Sequence, residues 1–130
     1  MKRLIIVGDG EAADRLGELS SLLNYDAIIR CDEPAAPLGL DDHVVICPVD
    51  ERSGRALLAR TLDAGTPGYC GLIASEAEAR SALARLAAAG VPGDRLDRIR
   101  APAGLPIGAQ TPDETAIAVA AELIAVARRG

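Results

Sequence analysis

A glycine-rich turn near the start of the chain has the residue types that bind nucleotides. The pattern Gly8-x-Gly10-x-x-Ala13 follows an apolar segment and opens a helical one, which is the context that a dinucleotide-binding motif requires. Small residues there let the backbone approach a pyrophosphate at the positive end of the helix. Asp32 follows roughly 20 residues later, where an acid binds a ribose hydroxyl. Because Asp32 and Glu33 would repel a 2′-phosphate, the turn predicts NAD rather than NADP as its cofactor.

Acidic residues at the same turn support a second interpretation. Asp9, Glu11 and Asp14 stand close to the expected phosphate position. Their carboxylates stabilise the helix start by offsetting its dipole, and they would repel a bound phosphate. On this interpretation the small residues only allow the first helix to pack closely on its strand.

A second candidate segment, residues 101–114, is rich in proline and glycine and leads into the last predicted helix. In a doubly wound sheet such a loop lies at the carboxyl-end edge, where ligands bind. A rigid connection that only caps the helix is the alternative, because proline and glycine are common in loops.

Short β-branched segments alternate with longer Ala/Leu-rich ones, and this alternation predicts the elements that position both candidates. Strands are predicted at residues 4–7, 27–29, 44–47, 69–73 and near 98–100, and helices at 11–23, 51–64, 75–89 and 111–129. Strands that are apolar throughout and separated by helices form a parallel sheet covered on both faces. The fold class is therefore α/β: one Rossmann-like, doubly wound domain over residues 1–130, with a mostly parallel sheet of about five strands.

Local patterns predict several helix ends. Ser75 and Glu78 have the spacing of a capping box, in which each side chain accepts a backbone N–H of the other residue. Thr111 and Glu114 repeat that spacing, with proline at the first helical position. Gly65 follows the second helix and suits a left-handed cap.

The last helix has an apolar face with two interpretations. Its residues are Ile117, Ala120, Ala121, Ile124 and Ala125. Packing of this face on the domain's own sheet is the first interpretation, and contact with a second copy in a homo-oligomer is the other.

Composition excludes two classes of partner. The chain has 19 acidic and 14 basic residues and a net charge of −5, which opposes attraction to nucleic-acid phosphates. It has no Trp or Phe and only two Tyr, so there is no platform on which bases could stack. No apolar run approaches the roughly 18 to 20 residues that span a bilayer. We therefore expect neither nucleic acid nor a membrane as a partner.

The cysteines and the single histidine give weaker indications. An odd number of cysteines without close spacing predicts free thiols and a cytoplasmic protein. Cys31, Cys47 and Cys70 each fall near the end of a predicted strand, so a shared thiol cluster that holds sulfur or a soft metal is one hypothesis. The other hypothesis is that the three cysteines are small buried hydrophobes.

The single histidine, His43, lies beside two aspartates. It is interpreted as a solvated side chain, with a general base as the alternative. Neither a catalytic residue nor a metal site is predicted.

Three segments resemble one protein family. They are Gly8-Asp9-Gly10, the motif Tyr69-x-Gly71-x-Ile73-x-Ser75, and the C-terminal stretch, with its Ala-Pro-x-Gly-Leu-x-Ile-Gly-Ala-x-Thr-Pro-x-Glu loop from residue 101. Together they resemble the XdhC/CoxI proteins, accessory factors for molybdenum hydroxylases such as xanthine dehydrogenase and aerobic carbon monoxide dehydrogenase. The resemblance covers only the C-terminal Rossmann-like domain of that family, so we expect the family's N-terminal domain to be absent.

The resemblance implies an accessory binding protein rather than an enzyme. A nucleotide or the molybdenum cofactor would bind at the carboxyl-end edge, and the partner would be a molybdenum hydroxylase or a companion XdhC-type domain. The glycine-rich turn and Asp32 would contribute to this binding site. The resemblance implies five further binding residues: Gly71, Ser75, Gly104, Gly108 and Thr111. The chain departs from the family pattern at Pro48-Val49, residues 74–77, Arg100 and Pro106.

Two alternatives remain from the sequence. The first is a Rossmann scaffold that acts through protein contacts alone, since Asp9, Glu11 and Glu76 stand where anion-binding groups are expected. The second is a small NAD-dependent oxidoreductase, which only the glycine pattern supports.

Overall fold

Five strands form one parallel sheet in the computed structural model, which describes residues 1–129. The strands are β1 (Arg3–Gly8), β2 (Ala27–Cys31), β3 (Asp42–Cys47), β4 (Tyr69–Leu72) and β5 (Ile99–Arg100). The helices are α1 (Glu11–Ser20), α2 (Glu51–Ala64), α3 (Glu76–Ala88), α4 (Gly93–Leu96) and α5 (Pro112–Arg129). Neighbouring strands are all parallel, in the order β2-β1-β3-β4-β5. This confirms the predicted fold class and places the change of strand order between β1 and β3, where ligands bind in doubly wound sheets.

Helices cover both faces of the sheet. Successive side chains of a strand point to opposite faces, so each strand contributes to two cores. Leu4 and Ile6 of β1 pack beneath α1 and α5, and Ile5 and Val7 pack beneath α2 and α3. All six residues of β3 are buried. The apolar runs at residues 4–7 and 44–47 of these central strands follow from their burial on both faces.

The last helix packs on a different face from the one predicted. α5 buries Ala116, Val119 and Leu123 against the sheet, whereas Ile117 and Ile124 are exposed. The buried face is itself apolar, and it also carries an inward carboxylate, Glu122, which is described below. α5 is also the longest helix, and no helix within residues 1–129 is long and apolar enough to span a bilayer.

Two predicted helix ends need correction. α1 ends at Ser20 rather than at residue 23, because the amides of residues 21–23 bond three residues back and tighten the chain into a turn. Gly65 does not form a left-handed helical cap: its φ of 147° and ψ of −157° lie in a different positive-φ region, which is essentially restricted to glycine. A Cβ atom there would overlap the carbonyl oxygen of Leu38, with which Gly65 forms an isolated bridge. The Arg95 guanidinium completes the end of α2 by donating to the carbonyls of Leu62 and Gly65, at 2.9 and 2.8 Å.

His43 is buried at the start of β3, so its interpretation as a solvated side chain is wrong. Its Nδ1 atom is hydrogen-bonded to the Tyr25 hydroxyl at 2.7 Å. Burial lowers the pKa of His43 below its ordinary value, and the charge of Lys2 lowers it further.

We therefore expect the single histidine to titrate below about pH 6.5 in the folded chain, which an NMR titration of its ring protons measures directly. Because the unfolded chain binds this proton more readily, stability is complete above the unfolded pKa and declines as the pH falls through the folded value. The Tm should thus be lower at pH 5.5 than at pH 7.5. His43→Gln should reduce that difference, and an equal difference in this variant would assign it to other groups.

Candidate functional site

The carboxyl ends of β3, β4 and β5 surround a cavity of about 680 Å³. We call it the edge cavity; it is lined by residues 48–51, 54, 72–76, 78, 82, 102–109, 115 and 118. Its walls are the loops after β3 and β4, the first turns of α2 and α3, and the Pro/Gly-rich loop that precedes α5. Its volume lies within the range of about 300 to 1,000 Å³ that is usual for small-molecule sites.

The predicted site residues divide into three groups. Ser75, Gly104 and Gly108 line the edge cavity. The glycine-rich turn and Asp32 lie at the carboxyl ends of the neighbouring strands β1 and β2, and Gly8 is paired with Cys47 immediately before the cavity begins at Pro48. The remaining two, Gly71 and Thr111, support the walls of the cavity, as shown below.

Two helix caps form the acidic wall of the edge cavity. Ser75 Oγ accepts a hydrogen bond from the Glu78 amide at 3.1 Å, and Glu78 Oε1 accepts one from the Ser75 amide at 3.0 Å, which confirms the predicted capping box. Asp50 caps α2 in the same way, accepting from the Ser53 amide at 2.8 Å. These backbone hydrogen bonds lower the pKa of both capping carboxyls, so they stay ionised at neutral pH.

Glu51 and Glu76 add two further carboxylates to the lining. In the part of the chain that the structure describes, no Lys, Arg or His lines the cavity. Carboxylate oxygens only accept hydrogen bonds, so this wall suits ligand groups that carry N–H or O–H donors. A phosphate against the same wall would be repelled, although first-turn amides of α2 and α3 remain available to an anion.

A buried carboxylate holds the Pro/Gly-rich wall of the cavity. Glu122 of α5 is only 7% exposed. Its Oε1 atom accepts hydrogen bonds from the Tyr69 hydroxyl at 2.5 Å and from the Gly104 amide at 3.0 Å. Burial and the adjacent carboxylate both raise the pKa of Tyr69, so its hydroxyl remains a donor. One oxygen atom therefore joins α5, β4 and the loop after β5.

Two of the predicted glycines make room for this arrangement. A Cβ atom at Gly71 would lie 2.6 Å from the Tyr69 hydroxyl oxygen, so Gly71 allows the Tyr69 ring to lie along β4 toward Glu122. Gly104 has a φ of 106°, and a Cβ atom there would lie 3.0 Å from the Cβ of Ala118. Both positions favour glycine for close packing.

Neither Tyr69 nor Glu122 was predicted as a site residue. One signal for Glu122 was available in the sequence. Its carboxylate follows the apolar residues Ala118 and Val119 at helical spacing, and all three lie on the side of α5 that packs inward.

Thr111 acts as a helix cap. Its Oγ1 atom accepts a hydrogen bond from the Glu114 amide at 3.1 Å, as the capping-box spacing predicted. The return bond differs from the prediction, because Glu114 Oε1 accepts from the amide of Gln110 at 2.9 Å rather than from that of Thr111. The cap thus fixes the last residues of the loop onto α5.

The two glycines of the glycine-rich turn differ in their surroundings: Gly8 is in close contact with the neighbouring strand, whereas Gly10 faces open space. Gly8 has a φ of 110°, and a Cβ atom there would overlap the carbonyl oxygen of Cys47 on β3. Gly10 has a φ of 114°, but a Cβ atom there would meet no atom of the described residues within 4 Å. Ala13 is fully buried and lets α1 pack on the sheet. The space beside Gly10 is therefore open to a ligand.

Arg30 offsets the negative charge at this turn. Its guanidinium lies 3.1 Å from Asp14 Oδ1 and 3.8 Å from Asp9 Oδ1, and it donates to the Gly8 carbonyl at 3.2 Å. This pairing reduces the repulsion that the two carboxylates would exert on a phosphate. Arg30 was missed because the second strand was predicted to end at residue 29, whereas β2 continues to Cys31.

Comparison with known proteins decides the family. The family model described as the XdhC Rossmann domain matches residues 4–123. The chain belongs to this family. A solved structure from Bacillus halodurans, described as a xanthine dehydrogenase, superimposes on this XdhC domain with a TM-score of 0.76 and 26% sequence identity, over 98% of this chain and 45% of that one. The chain thus spans less than half the length of that protein, and no curated protein matches it significantly.

The three thiols of this XdhC domain do not form a cluster. Cys47 packs beneath α1 and α5, whereas Cys31 and Cys70 pack on the opposite face of the sheet. Burial raises the pKa of Cys47 and of Cys70 to about 12, and it also raises that of Cys31, so the thiols stay protonated. Within residues 1–129 no group of three or more metal-ligating side chains is present. Cys47 and Cys70 therefore serve as small buried hydrophobes, and Cys31 packs against the core while only partly buried.

Proposed function

We propose that this XdhC domain is an accessory binding protein in the maturation of molybdenum hydroxylases of the xanthine dehydrogenase and carbon monoxide dehydrogenase type. Its ligand would be a nucleotide or a molybdopterin-type compound, held in the edge cavity as cargo. The observation that carries the proposal is the cavity itself, about 680 Å³ at the carboxyl ends of the strands of an XdhC Rossmann domain. The similar structure described as a xanthine dehydrogenase supports the link to that class of enzyme.

The donor set of the cavity fits the ring system of such a ligand. Pterin and purine rings carry N–H groups, which the carboxylates of Glu51 and Glu76 can accept. On the opposite wall, a Cβ atom at Gly108 would meet no atom of the described residues within 4 Å, so a flat ring can approach the backbone there. A phosphate group would be directed away from the carboxylates.

The glycine-rich turn is the proposed position for the phosphates of a nucleotide such as NAD. It adjoins the cavity through the pairing of Gly8 with Cys47. The open space at Gly10 and the guanidinium of Arg30 supply room and positive charge, and Asp32 follows the end of β2, where it can accept from a ribose hydroxyl.

Exposed apolar side chains at the mouth of the cavity support a protein partner. Val49 is 86% exposed and Ile107 is 56% exposed, and both line the cavity. A partner that receives the ligand must contact this mouth, and we propose a molybdenum hydroxylase or a companion XdhC-type domain in that role. The same side chains, together with the acidic wall, favour a second candidate function: a scaffold that acts through protein contacts without a ligand.

We expect a ligand of the proposed class to raise the Tm of the purified chain. NAD, NADP, AMP and the pterin neopterin are the probes, with circular dichroism as the readout because the chain has no tryptophan. A ligand at about 100 times its Kd adds about 2.7 kcal/mol of stability, which corresponds to a rise in Tm of roughly 10 °C for a domain of this size.

Three variants locate the binding site. The double change Glu51→Gln and Glu76→Gln alters the edge cavity, and Asp32→Ala alters the surroundings of the glycine-rich turn. The region whose variant abolishes the shift holds the ligand. Asp63→Asn, an exposed acid near the opposite end of α2, is the matched control and should leave the shift unchanged. If none of the probes changed the Tm, the ligand-binding part of the proposal would fail and the scaffold function would be favoured.

A further inference from the structure

A second groove lies at the amino-end edge of the sheet, opposite the edge cavity. It has a volume of about 320 Å³ and lies between the end of α1, the start of β2 and the end of α5. Five apolar side chains line it: Leu22, Leu23, Leu123, Ile124 and Ala127. We call it the lower groove.

The apolar lining of the lower groove is only partly buried by the domain itself. Leu123 forms its buried floor, but Leu22 is 82% exposed and Ile124 is 44% exposed. Leu22 is exposed because α1 ends at Ser20 and the following turn carries the side chain away from the core. Ile124 is exposed because of the rotation of α5. Apolar side chains grouped in this way around a cavity indicate a binding surface.

Two cations stand beside this apolar lining. Lys2 and Arg128 both line the lower groove, and neither side chain forms an ion pair within residues 1–129. The Lys2 ammonium lies 5.8 Å from the centroid of the Tyr25 ring, whose hydroxyl is held by His43. The nearby carboxylate of Asp26 already accepts the backbone amide of Lys2 at 2.8 Å. In a chain with a net charge of −5, the lower groove thus combines apolar surface with positive charge.

We propose that the lower groove binds a ligand with one unbranched apolar chain that ends in a carboxylate. The apolar chain would lie against Leu22, Leu123 and Ile124, and the carboxylate would meet Lys2 and Arg128. An apolar lining selects the chain, and the two cations select the sign of its head group. This site is separate from the edge cavity and does not depend on the function proposed for that cavity.

The test uses a series of probes of known chemistry, each below its micelle-forming concentration. We expect octanoate, decanoate and dodecanoate to bind with affinity that rises about three- to fourfold per added methylene while the chain stays inside the groove. Titrations followed by NMR should shift the amides of residues 22–25 and 123–128. Nonyltrimethylammonium has the same nine-carbon apolar chain as decanoate and a positive head, and it should bind at least tenfold more weakly. Equal affinity for the two probes, or shifts elsewhere on the domain, would overturn the proposal.

Matched variants test the charged and the apolar part of the lower groove separately. Lys2→Met with Arg128→Gln should weaken decanoate binding about tenfold or more, because charge-assisted contacts are lost. Arg129→Gln removes a neighbouring charge from the last turn of α5 but lies outside the lining, so it should leave the affinity unchanged. Leu22→Ser changes a side chain exposed to solvent and therefore leaves the fold intact, and it should also weaken binding. Unchanged affinity in Leu22→Ser and in the double variant would refute the site.

Discussion

Replacing Gly8 with alanine should cost about 4 kcal/mol of the free energy of unfolding or prevent folding altogether. The φ of 110° at Gly8 is strained for any residue with a Cβ atom, and that atom would overlap the Cys47 carbonyl oxygen. The overlap cannot be relieved by a side-chain movement, because Gly8 and Cys47 are paired between β1 and β3 at the centre of the sheet. Urea unfolding followed by circular dichroism measures the change.

Gly10→Ala is the matched control for this prediction. Its φ of 114° imposes almost the same backbone strain, but its Cβ atom would meet no described atom within 4 Å. We therefore expect a loss of only about 1 to 3 kcal/mol, the usual cost of a strained backbone conformation. Similar losses in the two variants would show that the contact with Cys47 is not what requires glycine at position 8. The expected difference separates a glycine that serves the fold from one that leaves space for a ligand.

The fold could be predicted because its signals are local. Apolar strands that are buried on both faces read as continuous apolar runs, and the Ser75–Glu78 capping box lies within four consecutive residues. The face of α5 could not be predicted in the same way, because an Ala-rich helix has weak contrast between its faces. α5 carries apolar side chains both on its buried side, at Ala116, Val119 and Leu123, and on its exposed side, at Ile117 and Ile124.

The loop residues of the candidate site could be predicted from the sequence, but the residues that hold those loops in place could not. Ser75, Gly104 and Gly108 follow strands in the sequence, so the parallel topology alone brings them to one edge. Tyr69 and Glu122, which hold the loop, are 53 residues apart. Two residues that are so far apart in the chain form no short motif, so a single sequence does not indicate that they are in contact. The division of the predicted residues between the edge cavity and the glycine-rich turn likewise depends on tertiary packing.

Glu122→Ala is the second substitution with a large expected effect. It leaves the buried Tyr69 hydroxyl and the half-buried Gly104 amide without an acceptor. Each unsatisfied buried donor costs about 1 to 3 kcal/mol, so we expect a total loss of about 3 to 4 kcal/mol. Urea unfolding measures the loss, and hydrogen exchange at the Gly104 amide should become faster as the loop is released from α5.

Glu122→Gln separates the hydrogen bonds from the charge of this carboxylate. The amide oxygen of glutamine can still accept from both donors, since a single oxygen, Oε1, receives both bonds. We expect most of the stability and the slow exchange of the Gly104 amide to return in this variant. Tyr69→Phe removes only one of the two donors and should leave the Gly104 amide protected. If glutamine instead behaved like alanine, the negative charge of Glu122 rather than its geometry would hold the loop. The Pro/Gly-rich wall of the edge cavity would then depend on a buried charge rather than on hydrogen-bond geometry.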